Sequence, residues 1–150
     1  MLDNNKTFNH LKVHTQYSIC EGAIKIDDLS DYCKLNKIKS IGLADSYNLC
    51  GALEFSEKIS KVGTHPIIGT QINVSKSDTI GKITLYATSE EGYKNLTKLS
   101  SSSYLRNNTM TDPSCNLQDL LNHKMVRTSR YFLNNLMRII LLDSYILLQK

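Results

Sequence analysis

The sequence predicts an α/β fold with a parallel sheet, because short apolar runs alternate along the chain with segments of helical periodicity. The clearest run, residues 41–44, is almost wholly apolar, as expected of a strand that is buried on both faces. Polar residues follow it directly. Since sites in such folds lie at the carboxyl ends of strands, we expect the functional residues of this chain to lie there.

Strands and helices alternate in an order that suits this fold class. We predict about four parallel strands, at residues 8–13, 41–44, 66–74 and 82–87. We predict three helices, at residues 27–36, 51–62 and 89–103. Asp27 or Asp28 is placed to cap the first helix, Gly63 to end the second, and Ser89 to cap the third.

The composition indicates a globular and mildly basic protein, with 41% hydrophobic residues, 21% charged residues and a formal net charge of +4. The four cysteines include no Cys-x-x-Cys pair, which argues against a zinc knuckle or a redox dithiol. We expect them to be reduced and buried. The sequence shows no secretory leader and no apolar run of membrane length, so it predicts a cytoplasmic protein without a membrane partner.

The last part of the chain differs in composition, so we divide the sequence into a domain at residues 1–122 and a tail at residues 123–150. The tail carries basic residues against a single acid, Asp143. Its apolar residues from Tyr131 to Leu141 can share one face, which predicts a basic amphipathic helix. Two interpretations stay open: a helix that binds a partner or membrane surface, and the end of a truncated or frame-shifted reading frame.

Four stretches of the sequence resemble a known family in order and spacing. Residues 10–18 read His-Leu-Lys-Val-His-Thr-Gln-Tyr-Ser, and Glu-Gly-Ala follows at residues 21–23. The other three stretches lie at residues 43–52, 63–69 and 91–99. Over residues 8–121 the chain is similar to the PHP (polymerase and histidinol phosphatase) domain. More narrowly, it resembles the PHP domain at the amino terminus of bacterial DNA polymerase III alpha subunits.

This resemblance implies a distorted (β/α)₇ barrel with metal ions at the strand ends, where they activate water for phosphoester hydrolysis. With about four strands, this chain would form only part of such a barrel. We therefore expect one open, apolar side of the sheet and poor solubility or marginal stability of the isolated chain.

The resemblance also implies a set of metal ligands, and this chain keeps only part of it. The retained ligand positions are His14, Glu21 and Asp45. The family's ligands are replaced by Lys12, Ser46, Gln71 and Lys82. Because a protonated lysine repels a cation, we predict a remnant pocket without an intact metal site. We further hypothesise that Lys12 and Lys82 pair with Glu21 and Asp45.

The function implied is that of a PHP region within a DNA-directed DNA polymerase acting in replication. The polymerase carboxylates and their Mg²⁺ would lie beyond residue 150, so this chain alone is expected to be inactive, with no catalytic residue or cofactor. The implied partners are the rest of the polymerase and its proofreading exonuclease subunit, with DNA contacted through the parent only. Two alternatives stay open: a small metal-dependent PHP phosphoesterase, and a stand-alone interaction module that uses the tail.

Overall fold

The computed structural model describes residues 8–76, 79–105, 113–122 and 126–128. Within those ranges the chain forms four helices and five strands. In chain order these are α1 (Ile26–Leu35), β1 (Ser40–Ser46), α2 (Ala52–Lys61), β2 (His65–Lys76), β3 (Thr79–Ala87), α3 (Glu90–Leu105), β4 (Ser114–Asn116), α4 (Leu117–Asn122) and β5 (Val126–Thr128).

The strands form one mixed sheet in the order β1-β2-β3-β5, with β4 paired to β2. Strands β1 and β2 are parallel, with Leu43 opposite Ile68, and α2 connects them. The α/β class is therefore confirmed. The prediction that all the strands are parallel is wrong, because β3 runs antiparallel to β2. Only residues 77–78 separate these two strands, and a parallel connection needs a dozen or more residues.

The predicted first strand, residues 8–13, is an extended stretch, here called the amino-terminal segment, that contacts β1 at isolated points. Val13 lies opposite Leu43, and three backbone hydrogen bonds join the segment to β1. Gly42 donates to the His10 carbonyl at 2.7 Å, Val13 to the Gly42 carbonyl at 3.1 Å, and Ala44 to the Val13 carbonyl at 2.8 Å. In the described part of the chain, no strand flanks the other edge of this segment.

The helix ends follow the sequence signals in two cases of three. The Ser89 hydroxyl accepts a 3.0 Å hydrogen bond from the Gly92 backbone and caps α3, as predicted. Gly63 follows α2 with a φ of +80°, the left-handed conformation that glycine adopts readily, so this prediction is also confirmed. The predicted cap of α1 is wrong: Lys25 holds the cap position, and Asp27 and Asp28 lie in the first turn, where they favour the helix dipole.

Two apolar clusters hold the elements together. The first packs α1 and α2 against β1 through Ile26, Leu29, Cys33, Ile41, Leu43, Ala52, Phe55 and Ile59. The second packs α3 and the β4 segment against β2 and β3 through Ile72, Val74, Ile83, Leu85, Leu96, Leu99 and Cys115. The prediction of buried cysteines is right for Cys33 and Cys115 and wrong for Cys20 and Cys50, which are exposed.

Most of the predicted tail, including residues 129–150, lies outside the described residues. Val126–Thr128, within the tail, form β5 and pair antiparallel with β3. The amphipathic helix and the boundary at residue 122 stay predictions. No helix within the described ranges is both long enough and apolar enough to cross a membrane.

Candidate functional site

The predicted site residues converge where β1 ends. Asp45 and Ser46 close β1, the loop after the amino-terminal segment supplies His14 and Glu21, and Lys82 reaches in from β3. Gln71 lies beside Ser46 in the parallel register of β1 and β2. Lys12 is exposed, two residues before His14, and makes no ion pair within the part of the chain that the structure describes.

Asp45 is the buried centre of the site, with no exposed surface. Its carboxylate accepts hydrogen bonds from the Thr15 backbone at 2.6 Å, the Thr15 hydroxyl at 2.7 Å and the Ser18 hydroxyl at 2.6 Å. The Ser18 oxygen in turn accepts a hydrogen bond from the Ser46 backbone at 3.1 Å. The carboxylate therefore joins the loop to β1 and has its oxygens engaged by protein donors.

Glu21 is the second acidic residue of the site, and both of its carboxylate oxygens have partners. One oxygen lies 2.7 Å from the Lys82 ammonium, and the other accepts a hydrogen bond from the Ser46 hydroxyl. The Lys82 ammonium also lies 5.0 Å from the centre of the Tyr47 ring, within the range of a cation–π contact. The bonds from Lys82 and Ser46 lower the pKa of the Glu21 carboxyl, and the bond to Glu21 raises the pKa of Lys82. Both groups are consequently charged at neutral pH.

His14 lies beside Ser18 and Glu21. Its Nδ1 atom lies 3.3 Å from the Ser18 hydroxyl and 3.9 Å from a Glu21 oxygen. Burial is the largest influence on this imidazole and lowers its pKa, the nearby Lys12 charge lowers it further, and Glu21 opposes both effects. The imidazole is therefore mainly neutral at pH 7.

The hypothesis of two lysine–carboxylate pairs is right for one pair. Lys82 pairs with Glu21. The second pair is wrong, because Asp45 is bonded to Thr15 and Ser18 and pairs with no lysine among the described residues. Sequence reasoning missed Thr15 as a partner of Asp45. The available signal was the run of hydroxyl residues that follows His14, yet which carboxylate those hydroxyls reach depends on the path of the loop.

The residues of this site do not fit a metal ion. Among the described residues, no group of three or more His, Cys, Asp or Glu side chains is placed to hold one. Asp45 accepts three hydrogen bonds, and the Lys82 ammonium lies 2.7 Å from a Glu21 oxygen. A positive charge at hydrogen-bond distance from a ligand oxygen opposes the approach of a second cation. That the chain lacks an intact metal site in solution stays a prediction.

The mixed sheet, its flanking helices and the polar cluster at the end of β1 define an α/β protein whose site lies at a strand terminus. The family profile described as PHP domain matches residues 10–141. The chain belongs to the PHP domain family. The matched range includes the described site and extends beyond residue 122.

Curated relatives place the chain more narrowly. It is 37% identical over 112 residues to the DNA polymerase III subunit alpha of Helicobacter pylori, an alignment that covers 69% of this chain and 9% of that protein. For the subunit of Borreliella burgdorferi the identity is 41% over 109 residues, and the alignment covers 65% of this chain and 10% of that protein. For the subunit of Rickettsia felis the identity is 36% over 118 residues, and the alignment covers 78% of this chain and 10% of that protein. The chain thus spans about a tenth of the length of these relatives.

Two solved structures resemble part of the chain at 17% identity and a TM-score of 0.48. One is a proposed metal-dependent phosphoesterase from Bifidobacterium adolescentis, for which the match covers 65% of this chain and 35% of that one. The other is an amidohydrolase from Chromobacterium violaceum, for which the match covers 61% of this chain and 32% of that one. These likenesses are too distant to carry a functional conclusion.

Proposed function

We propose that this chain is the PHP region of a DNA polymerase III alpha subunit and that it serves DNA replication as a structural part of that polymerase. The similarity to the alpha subunits of several bacteria supports the assignment. The observation that carries the structural role is the ion pair between Lys82 and Glu21, which lies where a hydrolytic member of the family would need an available carboxylate.

Phosphoester hydrolysis in this family requires a metal-bound water, and the described residues include no group of three or more His, Cys, Asp or Glu side chains placed to hold the metal. The Glu21 and Asp45 oxygens are engaged by protein donors, and Lys82 contributes a fixed positive charge. The same bonds instead tie the loop at residues 15–21 to β1 and β3. This network suits a role in maintaining architecture, with polymerisation and its Mg²⁺ located elsewhere in the parent protein.

The proposed partners follow from the same assignment. They are the remainder of the polymerase and its proofreading exonuclease subunit, in the cytoplasm, with DNA contacted by the parent protein. If the exonuclease subunit docks on this region, the full chain and the purified subunit should co-elute in size-exclusion chromatography. Separate elution at concentrations of tens of micromolar would remove this partner from the proposal.

A chimera tests the assignment directly. Residues 8–121 replace the corresponding segment of the Helicobacter pylori alpha subunit, and primer extension on primed single-stranded DNA is measured. We expect the chimera to retain extension within a few-fold of the parent, because the segment supplies structure. A soluble chimera without extension activity would count against the assignment.

A phosphoesterase assay tests the structural role separately. We expect the chain to leave p-nitrophenyl phosphate unhydrolysed in the presence of Mn²⁺, Zn²⁺ or Mg²⁺. Metal-dependent hydrolysis that disappears in His14→Ala would establish a PHP phosphoesterase instead, since it would show that the remnant pocket still assembles a reactive centre.

A further inference from the structure

The Lys82–Glu21 pair links parts of the chain that are far apart in sequence. Lys82 lies on β3, opposite Asn73 of β2, and Glu21 lies in the loop after the amino-terminal segment. The same Glu21 carboxylate accepts a hydrogen bond from the hydroxyl of Ser46, at the end of β1. One carboxylate thus holds together the loop, β1 and β3, as a metal ion does when its ligands come from separate strands.

The site contains two carboxylates, Glu21 and Asp45, and the ammonium group of Lys82. Ser18 and His14 connect these carboxylates, because the Ser18 hydroxyl donates to Asp45 and the His14 Nδ1 atom lies 3.3 Å from Ser18 and 3.9 Å from a Glu21 oxygen. The Lys82 ammonium lies 2.7 Å from Glu21 and over the Tyr47 ring, so it is oriented from two sides.

We propose that the Lys82 ammonium is the resident cation of this site, where it takes over the charge-balancing and cross-linking role of a metal ion and prevents a divalent metal from binding. This proposal holds independently of the replication role. It concerns only the stability and metal affinity of the chain, so its failure and the failure of the proposed function are distinguishable.

The experiment measures thermal unfolding and Zn²⁺ binding of the full chain. In the unmodified chain, neither EDTA nor Zn²⁺ should shift the Tm. Lys82→Met removes the charge and keeps a side chain of similar reach, so we expect the Tm to fall by roughly 2–6 °C. Lys61→Met is the matched control, because Lys61 makes a comparable 2.6 Å pair with Glu57 on the exposed side of α2. Its Tm should change by less than about 1 °C.

A gain of function completes the test. Lys82→His replaces the ammonium with an imidazole near His14 and Glu21, a nitrogen and oxygen donor set that Zn²⁺ accepts. We expect Zn²⁺ to raise the Tm of this variant, to bind with about one equivalent in calorimetry, and to lose both effects when Glu21→Gln is added.

Three results would overturn the proposal. The first is stoichiometric Zn²⁺ binding by the unmodified chain, which remains decisive even if Lys82→Met does not fold. The second is an equal fall in Tm for Lys82→Met and Lys61→Met. The third is a folded Lys82→His variant that does not respond to Zn²⁺, because the ammonium would then not be what excludes the metal.

Discussion

At the residue scale, Asp45 shows how one buried carboxylate joins a loop to the end of β1. The side chain is fully buried and accepts three hydrogen bonds, two from Thr15 and one from Ser18. A buried carboxylate is tolerated only when its charge is compensated by such donors. The Asp45 carboxylate therefore contributes to the conformation of the loop that follows His14.

Replacing Asp45 should consequently be costly. Asp45→Ala leaves the Thr15 backbone N–H and two hydroxyl groups without their acceptor, so we expect a loss of about 2–4 kcal/mol in the free energy of unfolding, measured by urea denaturation. Asp31→Ala, at an exposed position of α1, is the control and should cost less than about 0.5 kcal/mol. Equal effects of the two substitutions would contradict the role assigned to Asp45.

Tyr86 provides a residue-scale prediction about pH. Its hydroxyl donates to the Leu11 carbonyl at 2.9 Å, and burial raises its pKa from 10.0 to about 12. Because the folded state favours the neutral phenol, the stabilisation is fully present below pH 10 and is lost as the pH rises through about 12. The free energy of unfolding should therefore fall more steeply above pH 10 in the unmodified chain than in Tyr86→Phe.

The absorbance of tyrosinate checks the same assignment. The chain has eight tyrosines, so the titration of Tyr86→Phe is subtracted from that of the unmodified chain. We expect the difference to show a midpoint well above pH 10. A difference curve with an ordinary midpoint near pH 10 would mean that Tyr86 is not held in its buried position.

At the element scale, the contact between the amino-terminal segment and β1 depends on Gly42. A Cβ atom at this position would lie 2.2 Å from the Leu11 carbonyl oxygen, which belongs to the backbone and cannot simply rotate away. Gly42→Ala should therefore displace the segment and cost roughly 1–3 kcal/mol of unfolding free energy. Hydrogen exchange of the Val13 and Ala44 amides should accelerate in this variant, since both bond across this contact.

Gly81→Ala is the matched control, because nothing lies within 4 Å of a Cβ atom added there. We expect it to leave the unfolding free energy unchanged or to raise it by up to about 1 kcal/mol. If Gly42→Ala behaved like Gly81→Ala, the close approach of the segment to β1 would be contradicted.

The sequence predicted helices more completely than strand directions, and the reason is physical. Periodicity and caps are local, which is why Ser89 and Gly63 could be assigned to helix ends. The direction of β3 depends on the length of a connection, and the short gap between the predicted strands was the missed signal. Lys82 and Glu21 were predicted to pair only because the family resemblance put both at one site, since 61 positions separate them.

At the scale of the whole molecule, an apolar groove lies between the amino-terminal segment and α1, while the open side of the sheet stays a prediction. The groove has a volume of about 330 Å³ and is lined by Val13, Leu29, Ile41 and the partly exposed Ile24 and Tyr32, among others. An apolar groove that no other part of the chain covers favours association. We therefore expect the isolated chain to self-associate at tens of micromolar.

Charged substitutions in the groove test this expectation. Ile24→Lys combined with Tyr32→Lys should lower the weight-average mass in analytical ultracentrifugation towards that of the monomer. Leu35→Lys is the control, because Leu35 is 81% exposed on the same helix and does not line the groove. A monomeric unmodified chain that unfolds cooperatively at high temperature would refute the expectation.

The central claim is that this PHP-family site holds a lysine where hydrolytic members hold metal. The most direct measurement is a crystal structure of the full chain grown with Mn²⁺ or Zn²⁺, with anomalous scattering recorded at the metal edge. We expect Lys82 to stay within hydrogen-bond distance of Glu21 and no anomalous peak to lie near His14, Glu21 and Asp45. A metal peak coordinated by those three residues, with Lys82 displaced into solvent, would contradict this expectation.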